Sequence, residues 1–355
     1  MFQNTSLLAG IMKKILDTIY IQTEDSYLSL DNENLVVLDK DNKEIGRFCL
    51  HEIESIVSIN WRGASPALME KCAEKNIGLC FLSPTGKFRG RVIGKVHGNV
   101  LLRKKQFEIC SQKEESLILA KNMILGKLYN SKSVLQRGIR DHELSVDIKQ
   151  LEMSCEYLER SIERVQEAEC VDSVRGIEGD AASWYFTAFP QLILKQKEDF
   201  IFRGRNRRPP MDPVNALLSF AYSLLANRYV TALEAVGLDP YSGFLHTDRP
   251  GRASLALDMM EELRSVFADR FVLDLINRGI VTAKDFIYET NGAVLLSETG
   301  RKKFWIHWDK KLGTVLQHPF LKEKVEWGMI PFVQAQLLAR YLRGDLDTYP
   351  PFFNR

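Results

Sequence analysis

From residue 15 to about residue 60 the chain alternates short apolar runs with polar turns, the pattern of half-buried β-strands. Runs rich in Ile, Val, Tyr and Leu cover residues 15–21, 27–30, 35–38, 46–50 and 53–59. The breaks between them include Asp31-Asn32-Glu33-Asn34 and Asp39-Lys40-Asp41-Asn42-Lys43, rich in the Asn and Asp that close turns through their own side chains. Ser65 followed by Pro66 is a helix start, since Ser caps the first turn and Pro has its φ pre-set for the first position. A helix is therefore expected over residues 67–75. Residues 77–82 and 88–93, separated by Ser83-Pro84-Thr85-Gly86, form a second hairpin pattern.

Beyond residue 99 the period changes. Leu144, Ile148, Leu151, Cys155, Leu158, Ile162 and Val165 stand alternately four and three apart, which predicts a long amphipathic helix whose seam packs inside a bundle. Further helices are expected at 178–196, 213–227, 229–236, 254–268 and 328–343. The fold class that follows is α+β, with a small β-rich N-terminal domain at 12–98 and a larger all-α domain at 99–355.

At 355 residues the chain is long enough for two such cores. Its 48 basic and 46 acidic residues nearly cancel, so any nucleic-acid contact must come from local clustering. Cys49, Cys72, Cys80, Cys110, Cys155 and Cys170 form no C-x-x-C pair, which removes a zinc ribbon or thioredoxin-type motif and points to a reduced, cytoplasmic setting. The longest mainly apolar run, 214–226, contains Asn215, Ser219 and Ser223 and is too short to span a bilayer. No positive segment precedes the apolar residues 7–11, so they make a poor signal peptide. With Met12 as a second start, residues 1–11 read as a dispensable extension.

Three stretches carry candidate chemistry. On the helix expected from Ser254, Ala256, Met260, Leu263 and Phe267 make an apolar stripe, and Ser254, Asp258, Glu261 and Ser265 follow the same spacing on the opposite side. His246 precedes that helix in a loop closed by Pro250 and Gly251. Two carboxylates a turn apart beside an imidazole suit a divalent cation; a solvated acidic face, with Glu261 paired to Arg264, is the plainer alternative. Glu178, flanked by Gly176 and Gly179, is either a carboxylate near a helix start or one that small residues leave open to a ligand. Arg203-Gly204-Arg205-Asn206-Arg207-Arg208-Pro209-Pro210 cannot be continuous helix and is either a solvated loop or a phosphate clamp. Asp212 caps the helix after it, with Pro213 at its first position, Asn215 in the first turn and Tyr222 two turns on.

Nucleotide-binding glycine motifs and the G-x-S-x-G elbow are absent. Together, Arg175-Gly176-Ile177-Glu178-Gly179, Arg207-Arg208-Pro209-Pro210-Met211-Asp212-Pro213-Val214-Asn215, Gly243-Phe244-Leu245-His246, Leu257-Asp258-Met259-Met260-Glu261-Glu262-Leu263-Arg264 and the tail Ala339-Arg340-Tyr341-Leu342-Arg343-Gly344 are similar to a known family. The chain resembles the CRISPR-associated endonuclease and integrase of spacer acquisition, in the branch found with type I subtype C systems, from Met12 to Phe353.

That resemblance implies a β-rich dimerisation domain ahead of a helical catalytic domain. It implies metal ligands at Glu178, His246 and Glu261, where many relatives carry Asp at the third position, with Asp258 as a supporting acid. It further implies Mg²⁺ or Mn²⁺ as cofactor, and a homodimer working with a small ferredoxin-like companion. The DNA partners would be a protospacer duplex and the CRISPR leader-repeat, and the reaction attack of a DNA 3′-hydroxyl on a target phosphodiester. Arg205, Arg207, Arg208, Asn215 and Tyr222 are the expected DNA contacts. A nuclease that hydrolyses branched or single-stranded DNA, and a non-catalytic DNA-binding platform, are the alternatives.

Overall fold

A computed structural model describes residues 12–15, 18–21, 23, 25–53, 55–75, 77–82, 88–92, 94, 100–206 and 209–354. Residues 1–11, Arg207, Arg208 and the expected boundary at 97–98 thus lie outside the described residues. The chain separates into two compact units, Met1–His97 and Gly98–Arg355.

In the first unit β1 (Met12–Ile15) and β2 (Thr18–Ile21) are an antiparallel pair, so the apolar run at 15–21 is split between two strands. β3 (Tyr27–Asp31), β4 (Asn34–Leu38) and β5 (Glu44–Cys49) form an antiparallel sheet of their own. Its turns place Asn32 and Asn42 at φ of 54° and 60°, a conformation that Asn tolerates better than most residues. β6 (Ser55–Ser58) runs parallel to β2, α1 (Pro66–Glu74) crosses over, and β7 (Gly78–Leu82) lies parallel to β6 with β8 (Phe88–Val92) antiparallel at the edge. The second sheet is therefore ordered β1-β2-β6-β7-β8. Ser65 caps α1 as expected, its hydroxyl accepting the Leu68 N–H at 3.2 Å. Leu68 and Cys72 of α1 join Ile19, Leu28, Leu35, Val37, Ile56 and Leu79 in one core.

The second unit is predominantly helical. It begins with α2 (Val100–Ser111), the 30-residue α3 (Lys113–His142), α4 (Ile148–Glu167) and α5 (Val171–Ala188). There follow α6 (Pro213–Ala235), α7 (Ser254–Leu263), a π-helical turn over Arg264–Asp269, and α8 (Arg270–Asn277). β9 (Phe286–Tyr288) pairs with β10 (Val294–Leu296), α9 (Glu298–Leu312) follows, β11 (Val315–Gln317) pairs with β12 (Lys324–Glu326), and α10 (Ile330–Leu342) closes the order.

The architecture is the expected α+β one, with two short hairpins inside the helical part that the sequence did not announce. α4 starts four residues later than its seam suggested, because Asp147 caps it by accepting the Gln150 N–H; Leu144 is fully exposed. The helices expected at 213–227 and 229–236 are one helix, α6. Among the described residues no helix is long and apolar enough to cross a membrane, and all six cysteines are free.

Candidate active site

α7 is buried on almost every side. Ser254, Asp258, Glu261, Glu262 and Ser265 are as sequestered as the apolar stripe of Ala256, Met260, Leu263 and Phe267. A solvated acidic face is thereby overturned. Carboxylates in such a place must be paired or hydrogen-bonded, and each one here has a distinct set of partners.

Glu261 meets two cations. Lys127 Nζ, from α3, lies 2.7 Å from Glu261 Oε2 and also bonds Glu178 Oε1 on α5. Arg264 Nη1 lies 2.9 Å from Glu261 Oε1, and its guanidinium stacks over the Tyr222 ring with 4.8 Å to the centroid. Burial opposes ionisation of Glu261, but Arg264, Lys127 and the neighbouring His246 outweigh it and hold the carboxyl well below its usual range. Burial likewise works against the Lys127 charge, and Glu178 and Glu261 overcome it to raise that ammonium. Three helices thus converge on one buried cation between two acids.

Asp258 has a different task. Its Oδ2 accepts the N–H groups of Phe244 and Leu245 at 2.7 and 2.9 Å, and its Oδ1 accepts the His246 N–H at 3.0 Å. The same Oδ1 lies 2.5 Å from His246 Nδ1. Asp258 therefore builds the loop and orients the imidazole, leaving Nε2 without a partner among the described residues. Gly243 is needed for this, since a Cβ there would stand 2.6 Å from Asp258 Oδ2 and 2.8 Å from the Ser254 carbonyl carbon.

Glu178 sits in the interior of α5, which spans residues 171–188 instead of the expected 178–196. A place near a helix start is thus excluded. Neither Gly176 nor Gly179 would bring a Cβ within 4 Å of a neighbouring residue. Beside Glu178 runs a groove of about 620 Å³ lined in part by Phe186, Phe202, Arg203 and Arg205.

Two expected DNA contacts are corrected by burial. Asn215 is fully buried; it accepts from Arg205 Nη1 at 2.6 Å and donates to Asp212 Oδ2 and the Gly204 carbonyl. Tyr222 is buried as well, its hydroxyl donating to Asp269 Oδ1 at 2.5 Å while Tyr185 donates to Oδ2 at 3.0 Å. Both side chains are spent on bracing the arginine loop and the π-helical turn. Arg205 is held from behind by Asn215 and by Ser219 at 3.0 Å.

Lys127 was missed by sequence reasoning because α3 itself was not recognised. A signal existed: Ala120, Ile124, Lys127, Ser131, Val134 and Gly138 stand four or three apart, so Lys127 interrupts an apolar helical stripe.

Among the described residues no three His, Cys, Asp or Glu side chains are close enough together to hold a metal ion. The expected trio of Glu178, His246 and Glu261 is thus not drawn into a closed ligand shell, since Lys127 stands between the two acids. The donor chemistry nevertheless fits a divalent cation: two carboxylates already share one positive charge, and an oriented imidazole has a free nitrogen nearby.

The chain matches the family described as CRISPR associated protein Cas1 over residues 19–310. It is 46% identical over 346 residues to a CRISPR-associated endonuclease Cas1 of Rhodospirillum rubrum, covering 96% of this chain and 99% of that one. Two solved structures share its fold. A casposase bound to integration product matches at a TM-score of 0.79 and 24% identity, over 94% of this chain and 93% of that chain. A Cas6-RT-Cas1–Cas2 complex matches at 0.78 and 23%, over 94% of this chain and 35% of that chain. With the family matched across most of its length and a near-full-length relative at that identity, this chain belongs to the Cas1 family.

Proposed function

We propose that this chain is a divalent-metal-dependent DNA endonuclease and integrase that inserts short DNA into a CRISPR array. One observation carries the proposal: two carboxylates from separate helices meet at a single cation, next to an oriented imidazole, in a chain whose curated relatives are named CRISPR-associated endonucleases. Glu178, Glu261 and His246 Nε2 would hold Mg²⁺ or Mn²⁺. When bound, such a cation polarises the scissile phosphate and stabilises the charge that develops on it.

The chain's own residues do the rest. Asp258 fixes the His246 ring so that Nε2 presents its lone pair. Arg264 keeps Glu261 ionised in a buried place, and Lys127 holds a positive charge between the two acids, where it offsets their repulsion until a cation replaces it. Arg203 and Arg205 line the groove beside Glu178, where a DNA strand would lie with its phosphates on the guanidiniums. In the reaction a donor 3′-oxygen forms a new bond to the target phosphorus and loses its proton. The target's own P–O3′ bond breaks, and its 3′-oxygen gains a proton. Holding a DNA end in line with the phosphate gives it a large effective concentration over loosely held water. Hydrolysis is then the side reaction.

The partners proposed with this activity are a protospacer duplex, the CRISPR leader-repeat, a second copy of the chain joined through the β-rich unit, and a small ferredoxin-like companion. The fold shared with a chain of a Cas6-RT-Cas1–Cas2 complex is consistent with such an assembly. The deciding experiment supplies labelled DNA ends, supercoiled target and Mn²⁺. Ends with a 3′-hydroxyl should join the target and ends with a 3′-phosphate should not, and Glu178→Ala should abolish joining while keeping the fold. Hydrolysis without joined product would make the chain a nuclease only. Full activity in the folded Glu178→Ala variant would leave the acids a structural role.

A further inference from the structure

A second cavity, of about 550 Å³, lies within the helical unit where the C-terminal half of α3, α8, the end of α9 and residues 192–195 meet. It shares no lining residue with the Lys127–Glu178–Glu261 centre. Along the continuous helix from Ser254 to Asn277, Arg270 follows Glu261 by nine residues, about 13 Å of axial rise.

The cavity is lined by six Lys and Arg side chains and two carboxylates, Asp141 and Asp274. That excess of positive charge is larger than the +2 of the whole chain. Both carboxylates are already committed, Asp141 to Arg137 at 3.0 Å and Asp274 to Arg278 at 3.2 Å. Arg270 and Lys311 are half-buried, and among the described residues neither side chain has a hydrogen bond or an ion pair. Lys311 only faces the Trp327 ring, 5.2 Å from its centroid. Burial, together with Arg270 and Arg137, pushes Lys311 down to about 8 against the pull of Asp274. Burial and Arg137 likewise lower Arg270.

Lys310 and Lys311 have an ordinary explanation, since cations in the last turn of a helix complement its dipole. Arg270 has none, because it stands inside a continuous helix. Charges that repel one another at a partly dry site mark a place for an anion. Leu192, Leu194 and Phe271 supply an apolar wall, and the volume falls in the range of small-ligand pockets.

We propose that this cavity is a second anion site, which binds a nucleotide through its phosphate between Arg270 and Lys311. The nucleotide is either free or part of a DNA strand. The site stands apart from the acid centre, so it is tested on the full chain in EDTA, where metal-dependent chemistry is silent.

Calorimetric titrations at low salt would use inorganic phosphate, thymidine monophosphate and a 5′-phosphorylated single-stranded 12-mer. At least one nucleotide ligand should lose tenfold or more in affinity with Lys311→Gln and with Arg270→Gln, and keep its affinity within threefold with Lys311→Arg. Should Arg270→Gln fail to fold, Lys310→Gln with Lys311→Gln makes the same test from the surface end of α9. Loss confined to the 12-mer assigns the site to a DNA strand, and loss for the monophosphate assigns it to a free nucleotide. The proposal is overturned if neither nucleotide ligand binds, or if both bind these variants as they bind the unaltered chain.

Discussion

Lys127 Nζ lies 2.7 Å from Glu261 Oε2 while it bonds Glu178 Oε1 on another helix. One ammonium therefore ties α3, α5 and α7 together at the point where two acids would otherwise repel. The Lys127 and Glu261 side chains are 9% and 2% exposed and Glu178 is 23% exposed, so solvent screens only the Glu178 arm.

Replacing Lys127 by Met should leave Glu178 without its cation and Glu261 with Arg264 alone. Breaking a buried pair typically costs about 3 kcal/mol, so the melting temperature should fall by several degrees. Added Mn²⁺ should then raise the melting temperature of Lys127→Met more than that of the unaltered chain, because a ligand that binds only the folded state stabilises it. Thermal unfolding with and without MnCl₂ checks this; equal metal-induced shifts would remove Lys127 as the ion's competitor.

Asp258→Ala should be far more destabilising than His246→Ala. The first strips two buried N–H groups and one partly buried one of their acceptor, each worth about 1 kcal/mol when left unpaired, for a total of about 3 kcal/mol. The second removes a ring at the edge of the site and should cost about 1 kcal/mol or less, while abolishing DNA joining. Urea titrations separate the two.

Asp269 makes stability fall as pH rises through mildly acidic values. Burial pushes its carboxyl up from 3.8 to about 6 despite hydrogen bonds from Tyr222 and Tyr185. Between those values the folded state keeps a proton that the unfolded chain has released, so folding is favoured at the low end and the advantage is gone above about 6. The shift corresponds to about 3 kcal/mol. Asp269→Asn should flatten unfolding free energy against pH between about 4 and 6; an unchanged slope would assign it to other groups.

Arg203 is the exposed arginine of the groove beside Glu178. Arg203→Ala should weaken DNA binding across sequences alike and lower the salt dependence by about 0.9 for a duplex or about 0.7 for a single strand. Binding isotherms at several salt concentrations measure it, and an unaltered slope would place the phosphates elsewhere.

Local pattern carried a good part of this protein. The turns around Asn32 and Asn42, the Ser65 cap of α1, the Asp212–Pro213 start of α6 and the apolar stripe of α7 are set by contacts within a few residues, and the sequence determined them. Glu178, His246 and Glu261 stood out as candidates only through resemblance to a family, because three weak local signals on separate segments do not announce their surroundings. What they meet was decided by tertiary structure. Whether the acidic side of α7 faces water depends on whether α3, α5 and α6 close over it, and no periodicity within α7 encodes that. The same closure puts Lys127 between the acids, turns Asp258 from a candidate ligand into the anchor of the His246 loop, and draws Asn215 and Tyr222 inward. Charge pattern along a chain specifies which side chains can ionise; the low dielectric and fixed partners created by packing specify which must be paired, and with what.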